Sequence, residues 1–157
     1  MSTTEVPSSA TAQRIALAVE YDGTTYSGWQ KQASPELPTV QSAIDTAISQ
    51  VADAEIASTC AGRTDAGVHA TCQVIHFDSP VDRGDKAWTA GVNSLLPDSI
   101  RIIWSKSVEN EFHARFSAMA RQYNYVIYVN KVSSANLSKK VTHVRRALAY
   151  EAMELAA

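Results

Sequence analysis

The order in which strand-like and helix-like patterns follow one another from residue 14 to residue 104 constrains the fold of this chain most. Residues 14–21 and 100–104 alternate apolar and polar side chains as strands do, whereas residues 40–52 repeat apolar residues at helical spacing behind Thr39, a good N-cap. Three further elements lie between them: strands over residues 55–61 and 70–78, and a helix that begins at Asp82 or Asp85 and ends at Leu96. The order strand, helix, strand, strand, helix, strand predicts an α+β, ferredoxin-like β-α-β-β-α-β unit with an antiparallel sheet.

Each predicted helix has one apolar face that we expect to be buried. In the first helix this face consists of Val40, Ala43, Ile44, Ala47, Ile48 and Val51. In the second helix it consists of Trp88, Val92, Leu95 and Leu96.

Beyond the first unit, the sequence predicts part of a second one. Residues 121–128 are rich in aromatic and β-branched side chains, which is typical of a strand, and the sequence becomes helical from Ala147. We interpret these as the first strand and helix of a second, similar unit that the chain holds only in part. The predicted division is a disordered N-terminal tail over residues 1–13, a ferredoxin-like domain over residues 14–110 and a truncated second α/β domain over residues 111–157.

Length and composition bound the class of protein. The 157 residues are 45% hydrophobic and 19% charged, which is enough apolar material for one sizeable core. No stretch approaches the roughly 20 apolar residues that a membrane-spanning helix needs, and residues 1–11 lack the pattern of an export signal. We therefore expect a cytoplasmic protein with no membrane association. The two cysteines, Cys60 and Cys72, are expected to be reduced thiols rather than a disulfide.

The charge is unevenly distributed along the chain. The formal net charge is only -2, but residues 101–146 hold nine Lys and Arg residues against two Glu residues, a surplus of seven positive charges. A basic segment of this kind suits a phosphate backbone. An ordinary solvated surface remains the alternative.

A polar, glycine-punctuated segment, Cys60–Cys72, joins two of the predicted strands. It places the carboxylate of Asp65 close in sequence to Arg63, with Gly67 and His69 just beyond. Loops on rigid scaffolds often carry functional residues, and a carboxylate kept ionised by a neighbouring cation can act as a nucleophile. The alternative is a tight turn in which Asp65 bonds its own backbone and Gly67 supplies a positive φ. The spacing alone leaves both open.

Residues 24–38 form a second loop of interest. It holds Tyr26, Trp29, Gln30 and Lys31 between glycines and prolines. Aromatic and amide side chains on a loop suit contact with bases or with a sugar-phosphate backbone. The alternative is that the two aromatic rings only hold the loop against the core.

A metal site is a further hypothesis for the same region. Cys60, His69, Cys72 and His76 bracket the central loop, and thiolates and imidazoles are good zinc ligands, so a metal-binding α/β domain is one interpretation. The spacing contains no pair of cysteines separated by two residues, and we predict no bound metal. The chain also lacks the glycine-rich phosphate-binding motifs of nucleotide enzymes.

A central motif and three companion blocks give the chain a specific resemblance. Residues 62–70, GRTDAGVHA, closely resemble the catalytic motif of the TruA family of tRNA pseudouridine synthases. The companion blocks occur in the family's order and at compatible spacing: EYDG at 20–23 with Tyr26 and GWQ at 28–30, FHARFS at 112–117, and RxYxY at 121–125. Together they extend from about Ile15 to His143.

The resemblance implies an activity and an assembly. It implies an isomerase that needs no cofactor and converts uridine to pseudouridine in the anticodon arm of tRNA, at positions 38, 39 and 40 in bacterial members. It further implies two joined α/β units, a homodimer and a basic surface that binds tRNA. The domain over residues 14–110 would then be the catalytic one.

The resemblance also assigns roles to individual residues. Asp65 would be the nucleophile, and Arg63 beside it would help to hold the space left by the flipped target base, whose extrusion costs a few kcal/mol. Tyr123 would be catalytic as well: it would stack on the target uracil and take part in removing the C5 proton. The other residues expected to contact tRNA are Arg115, Arg121, His69, Tyr26, Trp29, Gln30 and Lys31.

Two other functional interpretations stay open at the level of sequence. One is a non-catalytic RNA-binding module of ferredoxin-like fold, in which the basic half binds phosphates and Asp65 is merely retained. The other is a fragment that is inactive without its C-terminal half, because the family's later basic residue, which pairs with the catalytic Asp, has no counterpart in this sequence.

Overall fold

The computed structural model describes residues 12–33 and 37–156. Most of the predicted disordered tail, residues 1–11, lies outside the described residues. The chain divides into two compact units, one that reaches to Ala120 and one that begins at Arg121. The predicted domain boundary between residues 110 and 111 stays a prediction.

The first unit is built on one four-stranded sheet. Its strands are β1 (Gln13–Tyr21), β2 (Thr59–Cys60), β3 (Ala70–Ser79) and β4 (Ile100–Val108), arranged in the order β2-β3-β1-β4 with every neighbouring pair antiparallel. Helix α1 (Val40–Ala52) connects β1 to β2, and helix α2 (Gly84–Lys86), which continues as a π-helical turn over Ala87–Gly91, lies between β3 and β4. The predicted α+β, ferredoxin-like unit is therefore confirmed.

Helix α1 has the bounds that the sequence predicts, because its signals are local. The Thr39 hydroxyl accepts a hydrogen bond from the Ser42 backbone N–H at 3.2 Å, and the Ser42 side chain accepts one from the Thr39 N–H at 3.3 Å. The helix ends at Ala52 and is capped by Asp53, which adopts a left-handed conformation with φ 54°. Val40, Ile44, Ala47 and Ile48 are buried as predicted, and Ala43 and Val51 are partly buried.

The core lies between the helices and one face of the sheet. Every second residue of β1 points into it, and Phe77 of β3 packs edge-on against Trp88 with ring centroids 5.1 Å apart. This packing of the helices on the sheet holds the strands in place, and the loops begin at the strand ends.

Two elements of the first unit differ from the sequence prediction. The strand predicted over residues 55–61 is only the two residues of β2, which pair with Ile75 and His76. The second predicted helix widens into the π-helical turn and stops short of Leu95, whose N–H bonds the Val92 carbonyl in a turn. Leu95 is therefore 47% exposed rather than buried, whereas Leu96 lies in the core.

The second unit contains two short strands and a helix. Strand β5 (Ile127–Val129) pairs in parallel with β6 (Thr142–Val144), and helix α3 covers Tyr150–Ala156. The strand predicted over residues 121–128 thus begins only at Ile127, although the Val126 carbonyl already accepts from the Thr142 N–H at 2.9 Å. The predicted helix begins at Tyr150 instead of Ala147.

Candidate active site

The connection between β2 and β3, residues 61–69, carries the predicted nucleophile; it is called the Asp loop below. Asp65 and Arg63 are exposed on it. Among the described residues, neither the Asp65 carboxylate nor the Arg63 guanidinium makes a hydrogen bond or an ion pair, so the two groups are more than 4.0 Å apart. The Asp65 carbonyl does accept from the Val68 N–H at 3.2 Å, which closes a turn. The turn therefore holds the backbone and leaves the carboxylate free.

The loop that follows β1 clamps the Asp loop from one side. The Trp29 N–H donates to the Thr64 carbonyl at 2.9 Å, and the Gly67 N–H donates to the Tyr26 carbonyl at 3.4 Å. The Tyr21 hydroxyl lies 2.7 Å from the Thr64 hydroxyl. The backbone on both sides of Asp65 is therefore bonded to a second segment, and two blocks that are far apart in the sequence are neighbours in the fold.

Two glycines make this close approach possible. A Cβ atom on Gly23 would lie 2.0 Å from the Val68 carbonyl oxygen. A Cβ atom on Gly28, whose φ is +94°, would lie 2.8 Å from the Thr64 carbonyl oxygen. Both distances are shorter than a carbon can make to an oxygen without displacing the backbone, so these positions require glycine. The glycines of the EYDG and GWQ blocks thus have a structural role that their sequence context did not reveal.

Gln73 of β3 holds the start of the Asp loop. Its side-chain oxygen accepts from the Gly62 N–H at 3.3 Å, and its side-chain N–H donates to the Gly62 carbonyl. The residue is 9% exposed. Sequence reasoning missed Gln73; the available signal is a polar residue on β3, a strand whose Ile75 and Phe77 are buried.

His69 connects the end of the Asp loop to the end of β1. Its Nδ1 atom lies 3.2 Å from the Gly23 N atom and 3.1 Å from an Asp22 carboxylate oxygen. The Gly23 N–H donates to this Nδ1 atom. Both contacts support a role for His69 in holding the loop in place. The contact of His69 with tRNA stays a prediction.

The aromatic residues of the second predicted loop face the protein. Trp29 is 1% exposed, and its ring packs against Tyr21 with centroids 5.8 Å apart. The Tyr26 hydroxyl lies 2.8 Å from the Ser99 hydroxyl. These positions fit the alternative in which the rings hold the loop against the core.

The polar residues of that loop are arranged differently. The Gln41 side-chain oxygen, which is buried, accepts from the Gln30 side chain at 2.7 Å and from the Lys31 N–H at 3.0 Å. Residue Lys31 is exposed. The loop therefore presents a cation on an ordered backbone, while Gln30 is bonded inward.

The segment over residues 112–117, which carries Arg115, lies against the sheet. The Ala114 N–H donates to Nδ1 of His76 at 3.1 Å, and Arg14 donates to the Phe112 carbonyl at 2.9 Å. Arg115 is exposed, with its guanidinium carbon 5.8 Å from the centroid of the Phe116 ring. The segment is thus anchored by its buried atoms and directs Arg115 outward.

Arg63 and Arg115 act on a common neighbour. Burial raises the pKa of the Cys60 thiol above its ordinary value, and the positive charges of Arg63 and Arg115 oppose this rise. Both guanidinium groups are therefore near enough to the Cys60 thiol, in β2, to influence it electrostatically. Asp65, Arg63 and His69 lie on the Asp loop, and Arg115 lies on the segment over residues 112–117.

The remaining predicted residues belong to the second unit. Tyr123 is 70% exposed, and Arg121 is exposed as well. Both lie in the part of that unit that precedes β5.

The candidate metal ligands do not form a cluster. Both cysteines are free, and Cys72 is exposed while Cys60 is buried. Within residues 12–33 and 37–156 no group of three or more His, Cys, Asp or Glu side chains is placed to hold a metal ion. No helix in the same residues is long and apolar enough to cross a membrane.

Comparison with known proteins gives the family. A family profile described as tRNA pseudouridine synthase matches residues 17–117. Over 144 residues, 92% of this chain, it is 53% identical to tRNA pseudouridine synthase A of Shigella boydii serotype 4 (strain Sb227). Over the same share, the identity is 51% to the protein of that name from Pseudoalteromonas atlantica (strain T6c / ATCC BAA-1087) and 52% to that from Escherichia coli O1:K1 / APEC.

The matches extend well beyond the central motif. They cover most of the first unit and reach into the second, although the chain spans about half the length of these relatives, 53 to 54% of each. The resemblance stated from the sequence blocks is confirmed, and the chain belongs to the tRNA pseudouridine synthase family.

Proposed function

We propose that the chain carries the Asp-loop half of an enzyme that isomerises uridine to pseudouridine in tRNA, with Asp65 as the nucleophile. The observation that carries this proposal is the environment of Asp65: its carboxylate is exposed and unbonded within the described residues, while the backbone around it is bonded to a neighbouring loop. A nucleophile needs this combination of a free reactive group and a fixed frame. Family membership supports tRNA as the substrate.

The chemistry that a carboxylate can perform here is an isomerisation. The bond between N1 of uracil and C1' of ribose breaks, the uracil turns while it stays bound, and a bond between C5 and C1' forms; the C5 proton leaves and N1 gains a proton, so the product is an isomer of the substrate. Asp65 can add to C1' of the ribose or to C6 of the uracil, and either route returns the carboxylate unchanged. Atoms and electrons balance without a redox partner, which agrees with a reaction that needs no cofactor.

The charged residues around the Asp loop suit the approach of an RNA backbone. Arg63, Arg115 and Lys31 are exposed, and the arginine fork binds phosphate or stacks on a base. Because a stem nucleotide must leave its stack to reach Asp65, a residue that occupies the vacated space lowers the cost of flipping. We assign this role to Arg63 and stacking on the flipped uracil to Tyr123.

The finer properties rest on the family resemblance. We propose that the target is the anticodon arm at positions 38 to 40, and that the working protein is a cytoplasmic homodimer. Modification mapping on individual tRNAs would test the first claim. Light scattering of the protein extended at its C-terminus would test the assembly.

The test of the proposed function is pseudouridine formation in unmodified tRNA transcripts. Three proteins are compared: the chain itself, the chain extended by the remaining C-terminal part of the Shigella boydii relative (called the extended protein), and the extended protein with Asp65→Asn. We expect the extended protein to form pseudouridine and Asp65→Asn to lower kcat about 1,000-fold or more while tRNA still binds. The activity of the chain alone then reports whether this half of the protein suffices.

A matched control separates chemistry from folding. Asp53→Asn changes an exposed carboxylate in a left-handed position that asparagine also adopts, and it should leave activity unchanged. If the extended protein binds tRNA but forms no pseudouridine, the enzyme proposal fails and a non-catalytic RNA-binding module takes its place.

A further inference from the structure

We propose that Gln73 is a positioning residue for the reaction: its side-chain amide fixes the peptide at Gly62 and so sets the position of Asp65, three residues farther along. The inference rests on the proposed function only where catalysis is measured. The effect of Gln73 on the structure of the loop can be measured without any activity.

The Gln73 side chain extends the hydrogen-bonding pattern of the sheet by one residue beyond its last backbone pair. At Ala61 the backbone pairing of β3 continues, because the Ala61 N–H donates to the Val74 carbonyl at 2.8 Å. One residue later the chain leaves the strand, and the Gln73 amide replaces a backbone partner by bonding both the N–H and the carbonyl of Gly62. An amide that donates and accepts toward one residue copies what a neighbouring strand would offer.

The burial of Gln73 favours the two hydrogen bonds to Gly62 over contact with solvent. Gln73 is one of few buried polar residues in the described part of the chain, and it lies opposite Val19 in the β1–β3 pairing. An unbonded amide at such a depth is costly, so the side chain is held to one orientation by its two bonds. A fixed Gln73 in turn fixes Gly62 relative to the rigid sheet.

The Gln73 amide holds the start of the Asp loop, whereas the other hydrogen bonds to the loop are made farther along it. Thr64 is bonded by Trp29 and Tyr21, and Gly67 is bonded to Tyr26. Without the Gly62 contact, the stretch between Ala61 and Thr64 would be held by the sheet only at its first residue. Asp65 would then sample positions displaced from the reacting atoms, and a displacement of about 1 Å can lower a rate about 100-fold.

The first experiment measures the loop and needs no activity. Amide hydrogen exchange is followed in the chain and in its Gln73→Met variant, which keeps the length of the side chain and removes both hydrogen bonds. We expect faster exchange at Gly62 and also at Trp29 and Gly67, whose N–H groups bond to or lie in the Asp loop. Gln50→Met, an exposed change on α1, is the matched control and should alter none of these amides. Unchanged exchange at Trp29 and Gly67 in Gln73→Met would overturn the inference.

The second experiment measures catalysis in the extended protein. Gln73→Met should lower kcat about 10- to 100-fold, with KM and the Kd for tRNA changed less than about threefold. Tyr21→Phe, which removes the hydroxyl contact to Thr64, should lower kcat less. Because both side chains hold one loop, the double variant should lose less than the product of the two single effects. A Gln73→Met variant with wild-type kcat, or one whose loss falls on Kd, would contradict the inference.

The two failures can be told apart. If the unaltered extended protein forms no pseudouridine, the proposed function fails and the exchange experiment still decides whether Gln73 holds the loop. If that protein is active and Gln73→Met alters neither exchange nor kcat, only the positioning role is lost.

Discussion

At the scale of single residues, the packing of two backbones on each other distinguishes two kinds of glycine. Gly28 has a positive φ and no room for a side chain. Gly67 has φ +78°, but apart from Gly67 itself and its chain neighbours no heavy atom of the described residues lies within 4 Å of the position that a Cβ atom would occupy. The first glycine is required by both conformation and space, and the second by conformation alone.

This difference predicts different costs for the same substitution. Gly67→Ala should lower the free energy of unfolding by about 1–2 kcal/mol, the cost of a left-handed alanine. Gly28→Ala should cost about 1–3 kcal/mol more, because the new Cβ must displace the Thr64 carbonyl. Urea denaturation of both variants measures the difference. Equal losses would show that the two loops do not pack as described.

Arg115 allows a prediction about binding. If it contacts a phosphate, Arg115→Gln in the extended protein should weaken tRNA binding and reduce the slope of log K against log salt by about 1. Arg101→Gln is the matched control from the same basic segment, because the Arg101 guanidinium is already bonded to Asp98 and to the Pro97 carbonyl. Filter binding at several salt concentrations measures both. A change of slope in the control alone would contradict the assignment.

At this scale the sequence gives more information about the proposed nucleophile than about the residues that surround it. The GRTDAGVHA block singled out Asp65 because the motif is long and specific. It could not indicate whether Trp29 faces solvent or core, since the same residue type suits both places. The sequence did not predict a role for Gln73, because a single polar residue on a strand is common. Only the folded chain brings its amide to Gly62.

At the scale of secondary-structure elements, helix α1 depends on its N-terminal cap. Thr39→Ala removes the hydroxyl that accepts from the Ser42 N–H and should lower the free energy of unfolding by about 1 kcal/mol. Thr46→Ala is the control on the same helix: the residue is exposed and its hydroxyl only bonds the Ser42 carbonyl one turn back. Thermal unfolding compares the two. A larger loss at Thr46 would mean that the cap does not stabilise the helix.

Elements with local signals were predictable, and those that depend on a partner were not. The bounds of α1 follow from apolar spacing and a capping residue, both of which are readable over a few residues. Residues 121–126 have high β propensity, but no strand of the described chain extends over them, and β5 begins only at Ile127. The exposure of Leu95 follows from the π-helical turn, which shifts the apolar face and has no sequence signature at this spacing.

At the scale of the whole molecule, the two units differ in how they are stabilised. The first unit has a continuous core of buried side chains on one face of its sheet. In the described residues of the second unit no side chain is buried. The stability of the chain therefore resides in the first unit, and its pH dependence should be governed by the buried groups there.

His76 is one of the groups that link the stability of the first unit to pH. It lies on the face of the sheet opposite the core, is 6% exposed, and accepts from the Ala114 N–H with its Nδ1 atom. Burial lowers its pKa below the ordinary value of about 6.5, and the nearby charges of His113 and Arg14 act in the same direction. The folded protein thus favours a neutral ring that can keep accepting the hydrogen bond from the segment that carries Arg115.

Because the pKa of His76 is lower in the folded state than in the unfolded state, its protonation lowers the free energy of unfolding. Above pH 6.5 the ring is neutral in both states and its contribution to stability is complete. As the pH falls below about 6.5, the unfolded chain binds the proton first, so the free energy of unfolding decreases until the pH passes the lower pKa of the folded state. His76→Asn retains an acceptor for the Ala114 N–H and cannot be protonated in this range. Urea denaturation between about pH 8 and pH 5 should therefore show a shallower loss of stability for His76→Asn than for the unaltered chain, even if the variant is less stable at the upper end. Parallel curves would mean that His76 is not held neutral and that the Arg115 segment is attached to the sheet by other contacts.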